Sequence, residues 1–404
     1  MIPFSPPRID QKMIDAVTDT LRSGWITTGP KTKLLEKKFA AYCACPSFLC
    51  LNSATAGLEL MLRWFGVGEG DEVILPAYTY AATANVIVHC GATPVFVDVN
   101  EDDFNISVAG LEKAITERTK VIMPVDFAGM PCDYDAIHAL ITKKTSLFKA
   151  TTEEQKQLGR ILVLADAAHS IGAVYKGKRA GSLTDVSVFS FHAVKNLTTA
   201  EGGGIAFRLP APFNNEALYQ QLCITSLHGQ NKDALAKTQK GNWRYDIVEA
   251  GYKCNMTDIQ AALGLVELER YETDTLVKRR HIFDLYAFAF SNYSWAQVPV
   301  FERSQGQTRS SCHVFALRIK GISEAQRDEI IRLIFDQEVS VNVHFIPVPM
   351  MSFYKKMGYD IKSCPKAYDN YSREISLPVY YGLNAESIQT VIDAVVMAVQ
   401  KVIG

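Results

Sequence analysis

The chain has 404 residues, of which 48% are hydrophobic and 21% charged, and its formal net charge is −1. This length and balance describe a globular protein large enough for two domains and exclude a disordered chain. A near-neutral chain has no basic field to attract nucleic acid or anionic lipid, so neither is expected as a partner, while a small anion needs only local positive groups.

The opening MIPFSPPRID carries three prolines and an early acid, with no apolar run of the kind a secretory signal needs. No window is apolar for long enough to span a bilayer. Nine cysteines without paired spacing point to a reducing compartment, and a cytoplasmic location is expected. Cys43, Cys45 and Cys50 lie close together but lack a second Cys/His pair at finger spacing, so no metal is expected.

In chain order, residues 1–30 read as an arm. Its helix has Ile14, Val17 and Leu21 at helical spacing and ends near Gly24. Such an arm suits either wrapping a partner subunit or capping the core. A second helix carries Leu34, Leu35, Phe39 and Tyr42 on one face. Phe48 to Leu51 reads as a strand, Asn52 to Thr55 as a turn, and Ala56 to Phe65 as a helix. A helix start after a strand end, with Ser53, Ala54 and Thr55 around it, suits an anion such as a phosphate.

Strands are then expected at Glu72–Leu75, Pro94–Val97, Val121–Val125 and Ile161–Ala165, alternating with helices. Most are continuously apolar. That is the pattern of an α/β fold with a mostly parallel sheet covered on both faces. The lysine-rich stretch from 143 to 159 is longer than an ordinary connection and reads as a surface insertion. Residues 172–178, GAVYKGK, nearly match a phosphate-binding loop, but Arg179 stands where Ser or Thr is needed.

The stretch Asp185–Gly204 carries the chemistry. An apolar strand ends in a polar segment holding Lys195, and Gly202, Gly203 and Gly204 follow. A lysine just past a strand end, beside glycines that admit close backbone approach, suits an imine-forming amine. Asp166 ends another strand, and ligands of open α/β sheets sit at such ends. An amine, a carboxylate and an anion cup on one rim meet the needs of pyridoxal 5′-phosphate (PLP), with Tyr80 as a stacking aromatic.

Farther on, the chain is helical and then loop-like from Leu209 to Lys240, and aromatic around Trp243, Tyr245 and Tyr252. An amphipathic helix is expected over Asp258–Tyr271 and a second one to about Phe290. The polar stretch Ser291–Ser311 shows no periodicity. Domains are expected at 1–273 (arm and large domain) and 274–404 (a smaller α+β domain). The smaller one is expected to have strands at 313–319 and 341–346 and helices at 323–337 and 386–402.

The stretches NSATAGLELML, GEGDEVILPAYTYAATANVI, GATPVFVDV, TKVIMPVDFAG, DAAHSIGAVYKGKRAG, SFHAVKNLTTAEGGG and GYKCNMTDIQAALG, in this order, resemble the DegT/DnrJ/EryC1/StrS nucleotide-sugar aminotransferases. The resemblance implies fold type I, the aspartate aminotransferase-like architecture, with PLP cycling to pyridoxamine 5′-phosphate. It implies Lys195 as the imine-forming and proton-shuttling amine and Asp166 as the partner of the pyridine nitrogen. It implies His169 beside the ring or its phenolic oxygen, Ala54, Thr55 and Ser190 at the phosphate, and Tyr80, or else Tyr78, stacked on the ring. It further implies a homodimer with shared active sites, the 251–255 loop reaching the other subunit's phosphate.

In that loop many members read G-x-N-x-R, whereas this chain has Lys253 and Asn255 in place of the asparagine and arginine. Enzymes acting on UDP-4-keto sugars resemble this variant. Asn255 is accordingly expected at the cofactor, and Lys253 and His344 at the substrate. The implied reaction moves an amino group from L-glutamate to the keto carbon, C4 by resemblance, of a UDP- or dTDP-linked deoxy sugar. Its products would serve lipopolysaccharide and other cell-surface polymers or secondary metabolites. The rivals are a sugar dehydratase of the same fold, which carries histidine at the lysine position, and a PLP-binding regulator, which needs an added DNA-binding domain. His192, three residues before Lys195, is expected to line the site or anchor its loop.

Overall fold

The computed structural model describes residues 1–232 and 244–404; Trp243 lies outside them. The main sheet is built from β1 (Ser47–Leu51), β2 (Glu72–Pro76), β3 (Thr93–Val97), β4 (Thr119–Ile122) and β5 (Leu162–Asp166), then, after a hairpin of β6 (Val174–Tyr175) and β7 (Lys178–Arg179), β8 (Val186–Ser190) and β9 (Gly203–Phe207). Its strand order is β1-β9-β8-β5-β4-β2-β3. Neighbours are parallel except at β9, which runs against both β1 and β8. The reason is connectivity: β8 returns directly through residues 191–202, whereas the parallel pairs need crossovers.

Six of these strands are buried along their whole length, as the unbroken apolar runs require. Alternate side chains feed two cores. Val73, Leu75, Leu162, Leu164, Val186 and Val188 pack under α3 (Ala54–Trp64) and α4 (Ala81–His89). On the other face, Ile74, Ile122 and Val163 meet Ile137 and Ile141, while Phe48, Phe189 and Phe191 meet Leu35 and Phe39 of α2 (Pro30–Cys43).

Toward the C-terminus, β10 (Ala296–Gln297), β13 (Phe315–Ile319) and β14 (Glu374–Leu377) form an antiparallel sheet with its own core, including Phe283, Tyr286, Leu317, Ile334, Ile375 and Val395. A further cluster joins Tyr78, Phe104 and Phe127 to Val314, Ala316 and Tyr371. The buried Arg318 of β13 donates to the carbonyls of Glu101 and Asp102, fastening this sheet to the loop after β3.

Several expectations need correction. Residues 341–346 alternate like a strand but make one bridge, Asn342 to Ser376; the strand is β14, which directly follows a helix over Pro365–Arg373. The polar stretch 291–311 holds β11 (Glu302–Arg303) and β12 (Thr308–Arg309), and β12 extends the β6–β7 hairpin. The 143–159 insertion is not wholly superficial: Gln155 is fully buried and its amide donates to Phe65 O at 2.9 Å. Within this chain, Ile14 and Leu21 of α1 (Gln11–Arg22) and Leu34 of α2 are exposed, while Met13, Leu35 and Phe39 are buried.

One carboxylate ties the arm to the body. Asp258, 2% exposed, accepts from the N–H groups of Gly29, Lys31 and Thr32 at 2.9, 3.0 and 2.8 Å and from the Thr32 hydroxyl at 2.7 Å. It thereby satisfies the first turn of α2 and sits where the helix dipole favours negative charge. Asp258→Ala strands these buried donors; it is expected to cost about 3 kcal/mol, read as a lower urea midpoint.

Candidate active site

The site lies where β1, β5 and β8 end. Strand register sets two rows across it: Asp166, Val188, Ile205 and Leu49 side by side, and, two residues further along, Ser190, Gly203 and Leu51. The rows are about 7 Å apart along the strands. The glycines explain how closely the second row packs. A Cβ on Gly203 would overlap Ala54 N and the Ser53 carbonyl, one on Gly204 the Phe48 ring, and one on Gly202 the Thr199 hydroxyl. Gly203 thus seats the start of α3 directly on the sheet edge of the site.

That helix begins at Ala54 rather than Ala56. Ser53 is its N-cap and accepts from Ala56 N at 3.2 Å. Ala54 and Thr55 therefore occupy the first turn, whose N–H groups have no helical acceptor. Ser190 is buried at the neighbouring strand end; its hydroxyl receives only a long contact, 3.4 Å, from His192 N. Together these groups form a cup of small side chains and outward N–H groups.

Asp166, buried at the end of β5, accepts from the Thr83 hydroxyl at 2.8 Å and Ala168 N at 3.2 Å. Burial pushes its carboxyl up; those two donors and the Lys195 charge oppose the rise. Lys195 follows β8 in a turn closed by its own N–H on His192 O. Burial lowers its amine to about 8, and Asp166 acts against that lowering.

Three imidazoles surround this pair. Burial keeps those of His169, His313 and His344 neutral, and the Lys195 charge disfavours their protonation further. Ala128 N–H donates to His169 Nδ1 at 3.2 Å, which leaves the proton on Nε2. Asn196 donates its amide to Ser311 O, so its carbonyl accepts from His313 Nδ1 at 2.7 Å. The rings of His169 and His313 lie 4.3 Å apart, and Phe345 stacks on His169 at 5.8 Å.

Tyr80 is 64% exposed at the start of α4, with Phe345 5.8 Å away, so its ring stands free at the rim. Tyr78 is fully buried and donates to His344 O at 2.6 Å, which removes it as a stacking group. The 251–255 loop runs beside the end of β1 in its own chain. Asn255 bridges Leu51 and donates to Thr28 Oγ1 at 2.6 Å, and Lys253 donates to Asn255. Lys195, Asp166, His169 and His344 thus converge. Ala54, Thr55 and Ser190 form the cup, and Asn255, bridged to Leu51, adjoins the strand end that carries it. His192 is half exposed and lies 3.5 Å from Glu201, across the Lys195 loop.

Thr83, Asn196, His313 and Phe345 were not singled out by sequence. Only Asn196 carried a signal, its place next to Lys195; the other three arrive by tertiary packing.

With this geometry in view, the relatives are informative. The DegT/DnrJ/EryC1/StrS aminotransferase family model matches residues 7–396. The spore coat polysaccharide biosynthesis protein SpsC of Bacillus subtilis is 39% identical over 398 residues, 98% of this chain and 96% of that one. Among solved structures, the sugar aminotransferase Spr1654 of Streptococcus pneumoniae, described as putative and in its PMP form, superposes with a TM-score of 0.96 at 47% identity, covering 100% of both chains. Helicobacter pylori PseC, an aminotransferase involved in the biosynthesis of pseudoaminic acid, gives 0.86 at 27% identity over 99% of each. The match along nearly the whole chain, with the lysine and aspartate at adjoining strand ends, makes this protein a member of the DegT/DnrJ/EryC1/StrS aminotransferase family.

Proposed function

We propose that the chain is a PLP-dependent sugar aminotransferase that moves an amino group from L-glutamate to the C4 keto carbon of a UDP-linked deoxy sugar, as a cytoplasmic homodimer. The observation that carries the reading is the half-buried Lys195, its amine held at about 8, in the field of the Asp166 carboxylate. Solved forms of Spr1654 with PLP and with PMP support the cofactor. The SATAG and GYK variants support the UDP-linked 4-keto sugar, and SpsC and PseC support a cell-surface or related sugar product.

The residues fit the cofactor. Gly203 and the small side chains of Ala54 and Ser190 leave room at a helix N-terminus for a phosphate, with the Thr55 hydroxyl as a further donor. When bound, PLP supplies an aldehyde that carries the amino group and a protonated ring that accepts electrons. Asp166 holds a proton at the ring nitrogen, and Thr83 and Ala168 N–H keep its carboxylate charged against burial. Tyr80 covers one ring face from the rim, and His169 presents a neutral Nε2–H to the cofactor. Lys195 takes a proton from the donor carbon and returns one to the sugar carbon. With its amine near 8, roughly a tenth is free base at pH 7, against roughly one part in three thousand at the ordinary value of 10.5. Lys253 and His344 bind the sugar nucleotide, and Asn255 contacts the cofactor phosphate across the dimer.

The amine is testable without turnover. Competitive acetylation of the chain across pH, read by peptide mass spectrometry, is expected to give Lys195 a midpoint near 8. Asp166→Asn removes the charge that raises this midpoint, so it moves lower; a midpoint at or above that of surface lysines rejects the arrangement. Borohydride treatment of the PLP-loaded protein is expected to tag Lys195. Lys195→Ala loses the tag and at least about 10²-fold in turnover. A panel of UDP- and dTDP-linked keto sugars with glutamate tests the substrate: only UDP-4-keto sugars are expected to return the amino group, and exclusive use of another carrier or carbon rejects this assignment.

A further inference from the structure

His344 is held on every side but one. Phe4 of the arm stacks on its ring at 5.5 Å, Tyr78 donates to its carbonyl, and its own N–H donates to Glu374 Oε2 at 3.1 Å. Its Nδ1 lies 2.9 Å from Ser376 Oγ, and Ser376 Oγ lies 2.5 Å from Glu374 Oε1. Among the described residues no protein group is bonded to its Nε2; His344 lies in the field of Lys195, and His169 in that of His344. Ser376 and Glu374 are fully buried. A hydrolase-like triad is a poor description, because the serine lies between the histidine and the acid and has no access to a substrate.

A serine hydroxyl has one proton to give. If Glu374 is a carboxylate, Ser376 donates to it, Nδ1–H of His344 donates to Ser376, and Nε2 is a bare acceptor. If Glu374 is a carboxylic acid, it donates to Ser376, Ser376 donates to Nδ1, and Nε2 carries the proton.

We propose that Glu374 and Ser376 form a proton wire that sets the polarity of His344 Nε2 toward the sugar substrate. The wire delivers one proton. Nε2–H gives its proton to an acceptor atom, Nδ1 takes the proton of Ser376, and Ser376 takes that of Glu374, leaving a carboxylate. The imidazole stays neutral before and after. Replacing a sugar carbonyl by an amine expels its oxygen as water, which requires such a donor; this use rests on the aminotransferase reading, the wire itself does not.

The groups facing the wire support a switch near neutral pH. Burial pushes the Glu374 carboxyl up to about 8, opposed by Ser376, the His344 N–H, Arg327 and Arg318, and Tyr78 is a further neighbour. Lys195, His169 and His313 face His344 itself. Burial, with Lys195, holds the His344 imidazole down at about 3, so its charge does not change in this range.

The test is the tautomer of His344 in the PLP-loaded protein, read by 15N NMR of labelled histidine. The chain has eight histidines, and His344→Gln identifies the signal. Between about pH 6.5 and 9.5 the wild type is expected to pass from Nε2–H to Nδ1–H without becoming imidazolium. Glu374→Gln, whose amide keeps donating to Ser376, is expected to hold Nε2–H throughout, and Ser376→Ala to uncouple the ring from pH. One fixed tautomer in the wild type, or a swap that survives Glu374→Gln, overturns the wire. Its use in catalysis is read separately, as the single-turnover rate of the sugar half-reaction relative to that of the amino-donor half-reaction. That ratio is expected to fall about 10²-fold in Ser376→Ala, and an unchanged ratio overturns the catalytic role. Failure of every sugar to react refutes the proposed function and leaves the NMR result to decide the wire.

Discussion

The site depends on a buried acid and a half-buried base that sit within each other's field. Removed from water, each would shed its charge: the Asp166 carboxyl is driven up and the Lys195 amine down. Each opposes the other's shift, and the fold adds one-sided help. Thr83, itself paired with Thr79, and Ala168 N–H donate to the carboxylate, while among the described residues no carboxylate forms an ion pair with the amine. The outcome is an acid kept ionisable and an amine that titrates near 8, rather than a lysine pinned in an ion pair.

That balance is a product of sheet topology. Asp166 and Lys195 belong to β5 and to the segment after β8, which are parallel neighbours and therefore end on the same side. In the main sheet the antiparallel strand β9 closes the Lys195 segment on itself and lays Gly203 under the start of α3. A crossover helix at this point would have carried the chain away from the rim. The direct return from β8 to β9 keeps the amine, the serine and the helix N-terminus on one edge.

What could be read from the sequence followed the local character of each signal. The seven strands of the main sheet are short apolar runs, and their ends carry Asp166, Ser190 and Asn52, so the rim was visible before the fold. Single residues that act by tertiary contact were not. β14 reads as a tail of the helix before it, because Glu374 follows Arg373 without a turn residue, whereas 341–346 alternates V-N-V-H-F-I and mimics a strand. The apolar side of α1 was inferred from spacing, yet Ile14 and Leu21 face outward in this chain, because helix periodicity identifies a stripe without naming what covers it. Tyr78 and Tyr80 are two residues apart and chemically alike; only packing makes one a core residue and the other a free ring at the rim.

Surrounding a catalytic-type amine with three histidines looks costly, since three cations there would suppress its protonation and repel one another. The hydrogen bonds resolve this. Ala128 N–H points at His169 Nδ1 and so requires a lone pair there, and Asn196, committed to Ser311 through its amide, offers His313 only an acceptor. The rings are thereby fixed as neutral dipoles of assigned direction rather than as charges. His344 alone has a partner, Ser376, that can serve as donor or acceptor. Two of the three imidazoles are locked, and the third, which also lies within the field of Lys195, is free to reverse.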